Sequence, residues 1–459
     1  MPERYHVPVA AAPARFRLVG KYGTVDWRED CARCRNCVKN LCVYGVYRAE
    51  SAYNRDPSQP LQPLFDCHAC LSCIQGCTKG LLSLAVNEEY LTLGDEYWRP
   101  EIIETTWRQA ETGSIPVSGA GYRGPFSGPG FDSMWTDMSE IVRPTRDGIH
   151  GREYISTSVD IGSKPMRLSI RPDGTVADNE PLVEVRLPVV LDIPPWHTSE
   201  NLTRARIAAA AALGTLAIVK ADECGLADER QITSLVPLLQ EGDDLAAHET
   251  VIQRAAMVEI VDGDDVFERA GQAHAASPGV IVCARVLASP AATDRAVSLY
   301  KGGVKAVHLC ADLHGNETAP QNPRFIKDVL RDLHTCLVQE GVRDEVTLIA
   351  GGGIALPEHM AKAIICGADL VAVDLPLLIA LGCRACGDDH NGSCPAGISD
   401  ADPEYAKQRM VNLMGAWHAQ LIEVLGAMGI REVRRLRGET GRAMFREDLE
   451  REAFGDLGN

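Results

Sequence analysis

From about residue 180 onward the chain alternates short apolar runs rich in Val, Ile and Leu with longer stretches that tolerate helix. The runs Leu187–Ile193, Leu216–Ala221, Ile232–Leu239, Met257–Val261, Val280–Val286, Ala306–Ala311, Val346–Ala350 and Leu370–Asp374 have strand length. Their near-continuous apolar character marks strands covered on both faces. Eight such units predict an α/β fold, a (β/α)8 barrel, with a doubly wound sheet as the competing arrangement. Pro237 inside the third run argues against a central strand there, because proline offers no N–H to a ladder. Helices are expected at Asn201–Leu213, Thr293–Lys301, Pro323–Gln339 and Pro357–Cys366, the last opening on a proline suited to a first turn.

Two regions flank this pattern. Past Asp402, apolar residues at Met410, Leu413, Met414, Trp417, Leu421, Val424 and Leu425 give helical spacing over Glu404–Gly426, a helix packed on the barrel or on a partner. Between Trp98 and Ser163 the composition shifts to Gly, Pro, Ser and aromatic residues. Tyr122, Phe126, Phe131, Met134, Trp135 and Met138 supply more apolar surface than a disordered linker carries, so an ordered connector is expected. Arg143, Arg146, His150 and Arg152 read as salt-bridged loop residues or as a basic cover over an anion or cluster. The expected division is 1–97, a ferredoxin-like domain; 98–165, the connector; 166–400, the barrel; and 401–459, a helical extension.

The first of these divisions rests on cysteines. Cys31-Ala-Arg-Cys34-Arg-Asn-Cys37 is followed by Cys42, and Cys67-His-Ala-Cys70-Leu-Ser-Cys73 by Cys77. In the bacterial ferredoxin run, three close thiolates bind one [4Fe-4S] cluster and the fourth reaches the other. That logic assigns Cys31, Cys34, Cys37 and Cys77 to one cluster, and Cys67, Cys70, Cys73 and Cys42 to the second. The first run has one residue too many before its fourth cysteine, and Val43 and Thr78 stand where proline is usual. Structural zinc also uses C-x2-C pairs, but two triplets with a lone fourth cysteine suit clusters better. With clusters in place the module is an electron wire, which calls for a redox partner protein or companion subunits.

Composition narrows the setting. The chain has 459 residues, 45% of them hydrophobic, and a formal charge of −17, which disfavours nonspecific binding to nucleic acid. The apolar stretch Ile207–Val219 is too short to span a bilayer and the first residues lack a secretory apolar core, so a cytoplasmic location without a membrane span is expected. Of sixteen cysteines, half lie in the two runs and most others sit singly among apolar residues, a pattern of metal ligation and buried thiols.

The segment GGGIALPEHMAKAIICGADLVAVDLPLLIALGC, the segment HNGSCPAGI from His390 to Ile398, and ALGTLAIVKADECGL resemble the FMN-binding synthase domain of glutamate synthases. The order ferredoxin, connector, barrel is similar to the archaeal type. The resemblance implies FMN at the barrel mouth, with Gly351, Gly352 and Gly353 available to cradle its phosphate. It implies electrons passed to FMN for reduction of the imine made from 2-oxoglutarate and ammonia. It also implies a third iron-sulfur cluster at the loop of Cys383, Cys386 and Cys394, with Asp389 or His390 as an additional ligand.

Departures from the family lie at the flavin. Asp374-Leu375-Pro376 replaces a glycine-threonine pair at the phosphate, and Arg285 replaces the lysine that faces the ring. The turns after strands one and two read Pro195-Trp196-His197-Thr198-Ser199 and Asp222-Glu223-Cys224-Gly225. Lys220, Glu223 and Arg285 are the candidate catalytic residues, through carboxylate binding, proton transfer and stabilisation of a reduced ring. No glutaminase cysteine precedes Cys31, so ammonia is expected from solution or another subunit. Two functions are carried forward: reductive amination or a related reduction at the barrel, and electron relay within a larger complex whose barrel is a scaffold.

Overall fold

A computed structural model of the chain describes residues 5–455 except 17, 20, 28–33, 35, 37–39, 44–69, 116–126, 138–153, 165–168, 178–180, 197–198, 319–320 and 387–396. The eight apolar runs form one closed barrel of parallel strands. They are β1 (Val189–Leu191), β2 (Leu216–Lys220), β3 (Leu235–Leu239), β4 (Met257–Val261), β5 (Ile281–Leu287), β6 (Ala306–Cys310), β7 (Thr347–Gly351) and β8 (Leu370–Val373). Closure comes from β8, whose Val371, Ala372 and Val373 pair with Val189, Val190 and Leu191. The doubly wound alternative is excluded.

The expected third strand is trimmed: Ile232–Ser234 is a 3-10 turn, and Pro237 lies inside β3 opposite Val219. Pairing with β4 is confined to Leu238 and Leu239, past the proline, which is how the barrel accommodates a residue without an N–H.

The helices around and beside the barrel include α1 (Pro100–Thr112), α2 (Glu200–Leu213), α3 (Glu249–Arg254), α4 (Val266–Ala276), α5 (Ala292–Lys301), α6 (Ile326–Gln339), α7 (Pro357–Ile365), α8 (Leu375–Ala380) and α9 (Pro403–Ala427). The expected start at Pro323 moves to Ile326. The apolar face of α9 lies on α1 and α2. Buried Arg409 of α9 donates from Nη1 to the Ala12 carbonyl at 2.6 Å, from Nη2 to the Trp107 carbonyl at 3.1 Å, and from Nε to the Ala380 carbonyl. Nearby, Asn412 accepts from Ala10 N–H at 3.1 Å and donates to the Ala10 carbonyl at 2.6 Å.

At the N-terminal end, Tyr22–Trp27 pairs antiparallel with Leu82–Val86, bracketing the cysteine runs. In the connector, Phe131 and Met134 are buried. Asp132 receives Arg99 Nη2 at 3.1 Å and faces His359 Nε2 of α7 at 3.1 Å. Tyr122, Phe126, Met138 and the basic cluster Arg143, Arg146, His150 and Arg152 lie outside the described residues. No helix among the described residues is long and apolar enough to cross a membrane.

Candidate functional site

A charged side chain inside an apolar barrel strand has no water to solvate it and needs a partner. Glu259 in β4, Arg285 in β5 and His308 in β6 interrupt three neighbouring strands, and they pair with one another. Arg285 Nε donates to Glu259 Oε1 at 2.6 Å, and its Nη2 donates to Asp192 Oδ1, just past β1, at 2.5 Å. His308 Nδ1 lies 2.9 Å from the same Glu259 Oε1, and its Nε2 is 4.0 Å from Asp192 Oδ2. Glu259 and His308 are wholly buried. Burial pushes the Glu259 carboxyl up, but Arg285 and His308 outweigh it and leave the group at about 2. Burial opposes charge on Arg285, yet Asp192 and Glu259 hold it protonated well above its usual range. His308 is held protonated against burial by Cys310 and Glu259. The result is two cations and two carboxylates that neutralise each other under the C-terminal mouth of the barrel.

The other candidate catalytic residues stand outside this network. Lys220 is half-buried at the end of β2, in register with Leu238. Glu223 lies on the 3-10 turn Ala221–Leu226, where its Oε2 accepts from Thr203 Oγ1 of α2 at 3.2 Å.

The three glycines after β7 have an internal explanation. A Cβ on Gly351 would lie 2.5 Å from His308 Nε2, one on Gly352 2.5 Å from the Asp312 carbonyl, and one on Gly353 2.6 Å from Gly315 Cα. His308 of β6 and the loop after it therefore pack where side chains would be. Gly352 and Gly353 also have positive φ, which favours glycine independently. Tyr97 then donates its phenol to the Gly353 carbonyl, and Trp98 Nε1 donates to the Leu313 carbonyl at 2.9 Å, so the 97–98 segment seals this corner.

After β8, Asp374 is the N-cap of α8, its Oδ1 accepting from Leu375 N–H at 2.6 Å. Burial, reinforced by Asp192, raises its carboxyl to about 6. The helix end that would face a phosphate carries the chain's own carboxylate, and its next residue, Pro376, has no N–H. The first two residues of α8 therefore offer no free N–H to a phosphate.

Of the cluster cysteines, Cys31, Cys37 and Cys67 lie outside the described residues, as do Asp389, His390 and Cys394 of the later loop. Cys34 and Cys70 are exposed, Cys73 and Cys77 half-buried and Cys42 buried. Cys77 Sγ accepts Leu81 N–H at 3.4 Å, and backbone N–H groups of Leu81 and Lys79 hold its thiol below the usual range. Cys70 is lowered by Ser72, with a smaller contribution from the Val43 N–H. Cys383 is buried and Cys386 exposed. Between them Arg384 accepts Gly94 N–H on its carbonyl at 2.8 Å and pairs with Glu89 at 3.0 Å. Among the described residues no three His, Cys, Asp or Glu side chains gather as metal ligands.

Sequence reasoning passed over Asp192, Glu259, His308 and Tyr97. The signal for Glu259 and His308 was present: a polar residue in the middle of MVEIV and of AVHLC, where a strand covered on both faces should carry none.

Residues 325–434, running from α6 through α9, match the conserved region in glutamate synthase. An archaeal-type glutamate synthase (NADPH) of Dehalococcoides mccartyi is 24% identical over 477 residues, covering 90% of this chain and 93% of that protein. An archaeal glutamate synthase (NADPH) of Archaeoglobus fulgidus is 25% identical over 504 residues, covering 95% and 96%. The chain has a family-level link to the archaeal-type glutamate synthases. With the archaeal glutamate synthase (NADPH) of Methanocaldococcus jannaschii, identity reaches 40% over 114 residues, 23% of this chain and 22% of that protein.

Proposed function

We propose that this glutamate synthase relative is an iron-sulfur electron-transfer subunit of a larger oxidoreductase, its barrel serving as the platform on which the cysteine module is mounted. Cys31, Cys34, Cys37 and Cys77 would hold one [4Fe-4S] cluster, and Cys67, Cys70, Cys73 and Cys42 the other. Such clusters accept and pass single electrons, with potentials set in part by hydrogen bonds to their sulfurs. The observation that carries the reading is the Leu81 N–H aimed at Cys77 Sγ at 3.4 Å, a donor placed to stabilise thiolate sulfur. The contacts of Arg384 with Glu89 and Gly94 favour an extension of the wire to Cys383, Cys386 and Cys394, because they hold that loop against the end of the module.

The family's other activity, reductive amination of 2-oxoglutarate at the barrel, finds less support. Arg285 is held by Glu259 and Asp192 through Nε and Nη2, and Glu223 is turned toward Thr203. The relay reading is tested on the full chain purified without oxygen, by iron and acid-labile sulfide content and by the EPR spectrum after reduction. About eight irons per chain are expected from two clusters, rising by three or four if the later loop is filled. Zinc in place of iron, or a protein that stays iron-free after reconstitution with iron and sulfide, would refute it.

A further inference from the structure

We infer that the barrel mouth of this chain is filled by the chain's own charged groups and takes no flavin mononucleotide, although the resemblance to glutamate synthases implies one there. The inference does not depend on cluster content, so it stands or falls separately from the relay reading.

Three positions argue it. A flavin phosphate on a barrel is held by backbone N–H groups of the loops after the seventh and eighth strands and by the start of the helix that follows. Here the first of those donors, Leu375 N–H, is taken by Asp374 Oδ1 at 2.6 Å, and the next residue is a proline. An ionised Asp374 beside a phosphate dianion adds repulsion where attraction is needed.

The second position is the glycine loop. In a phosphate cradle, glycines leave room for the ligand. Gly351, Gly352 and Gly353 instead leave room for His308, the Asp312 carbonyl and Gly315, and Tyr97 covers the Gly353 carbonyl. Nothing about these glycines calls for an external anion.

The third is the ring position. A cation facing a reduced isoalloxazine stabilises its negative charge only if that charge is not already spent. Arg285 has carboxylates at 2.6 and 2.5 Å, and the buried His308 shares Glu259. Within the quartet Asp192, Glu259, Arg285 and His308, the two carboxylates already face the two cationic side chains, so Arg285 offers no unpaired charge to a ring. In these terms Asp374 stands in for the phosphate, and the carboxylates of Asp192 and Glu259 stand in for the anionic ring.

The test is a titration of the anaerobically purified full chain with FMN, read by flavin fluorescence and equilibrium dialysis, with flavin release on denaturation assayed in parallel. The expected result is no flavin in the purified protein and a Kd weaker than about 1 mM. One FMN released per chain, or a micromolar Kd, would overturn the inference whatever the iron count. The variant Asp374→Asn keeps the size of the cap while removing its charge. Combined with Arg285→Lys, it should tighten FMN binding by at least about tenfold in a protein whose far-UV circular dichroism is unchanged. A folded double variant with unimproved affinity would sink the assignment of the block to these charges, and if the variant does not fold, the wild-type titration decides alone.

Discussion

Arg384 and Glu89 form an ion pair of 3.0 Å that joins the loop of Cys383 and Cys386 to the segment closing the cysteine-bearing N-terminal region. Both side chains are about one-third exposed, so solvent screens the pair and Arg384→Ala should cost less than about 1 kcal/mol globally. The local effect should be clearer. Gly94 N–H donates to the Arg384 carbonyl, and its hydrogen-exchange protection is expected to fall by up to about fivefold in the variant. Unchanged exchange at Gly94 would mean that the backbone bond alone holds the loop.

Arg285→Met should be among the most damaging single changes in the barrel. It leaves Glu259 and Asp192 without their shared cation, and breaking a buried pair in this way costs about 3–5 kcal/mol. Urea unfolding monitored by fluorescence measures the loss. Adding Glu259→Gln to the variant should recover part of it, and strict additivity of the two changes would argue against the pairing.

Asp374 predicts a pH dependence of defined sign. Its folded carboxyl, near 6, sits above its ordinary value of 3.8, so the folded chain binds this proton more tightly than the unfolded chain. The stabilising contribution is full below about 4 and is lost as pH rises through about 6. On going from pH 7.5 to pH 5, wild type should gain about 1 kcal/mol relative to Asp374→Asn. Other groups titrate in both proteins, so the difference between their melting temperatures is the measurement. A difference that does not grow toward pH 5 would contradict the burial of this carboxyl.

The corner beneath Tyr97 yields a matched pair of variants. Tyr97→Phe removes only the hydroxyl that donates to the Gly353 carbonyl and should cost about 1 kcal/mol. Gly353→Ala places a methyl 2.6 Å from Gly315 Cα on a backbone with φ of +68°, and should cost about 2–4 kcal/mol. Thermal unfolding of the two proteins orders them, and equal costs would show that the loop after β6 yields to the methyl.

The barrel was legible because parallel strands covered on both faces leave unbroken apolar runs, which is why Met257–Val261 is found at its expected bounds. Pro237 was misleading only in part. It sits in a strand, and its cost appears as shortened pairing with β4. The charge quartet could not be assembled from the chain alone. Glu259, Arg285 and His308 lie on consecutive strands, but Asp192 reaches them only because the barrel closes, and no local pattern reports closure. Asp374 was legible as a charge that opposes a phosphate; its service as the cap of a six-residue helix depends on backbone angles that the sequence does not spell out. Gly351, Gly352 and Gly353 illustrate the converse. A glycine run announces a close approach, and only the fold says that the approaching bodies are His308 of β6 and the loop after it.

The bonds between Ala10 and Asn412 connect residues 402 positions apart. A ribosome releases the first of these residues long before the second exists, so although Ala12 N–H and Tyr5 can already reach the Glu111 and Leu213 carbonyls, the tail's bonds to Asn412 wait until α9 has emerged. Full seating of that end of the protein is tied to completion of the other, and a chain stopped short of α9 would present its N-terminal segment without the Arg409 and Asn412 bonds to whatever machinery loads or inspects it.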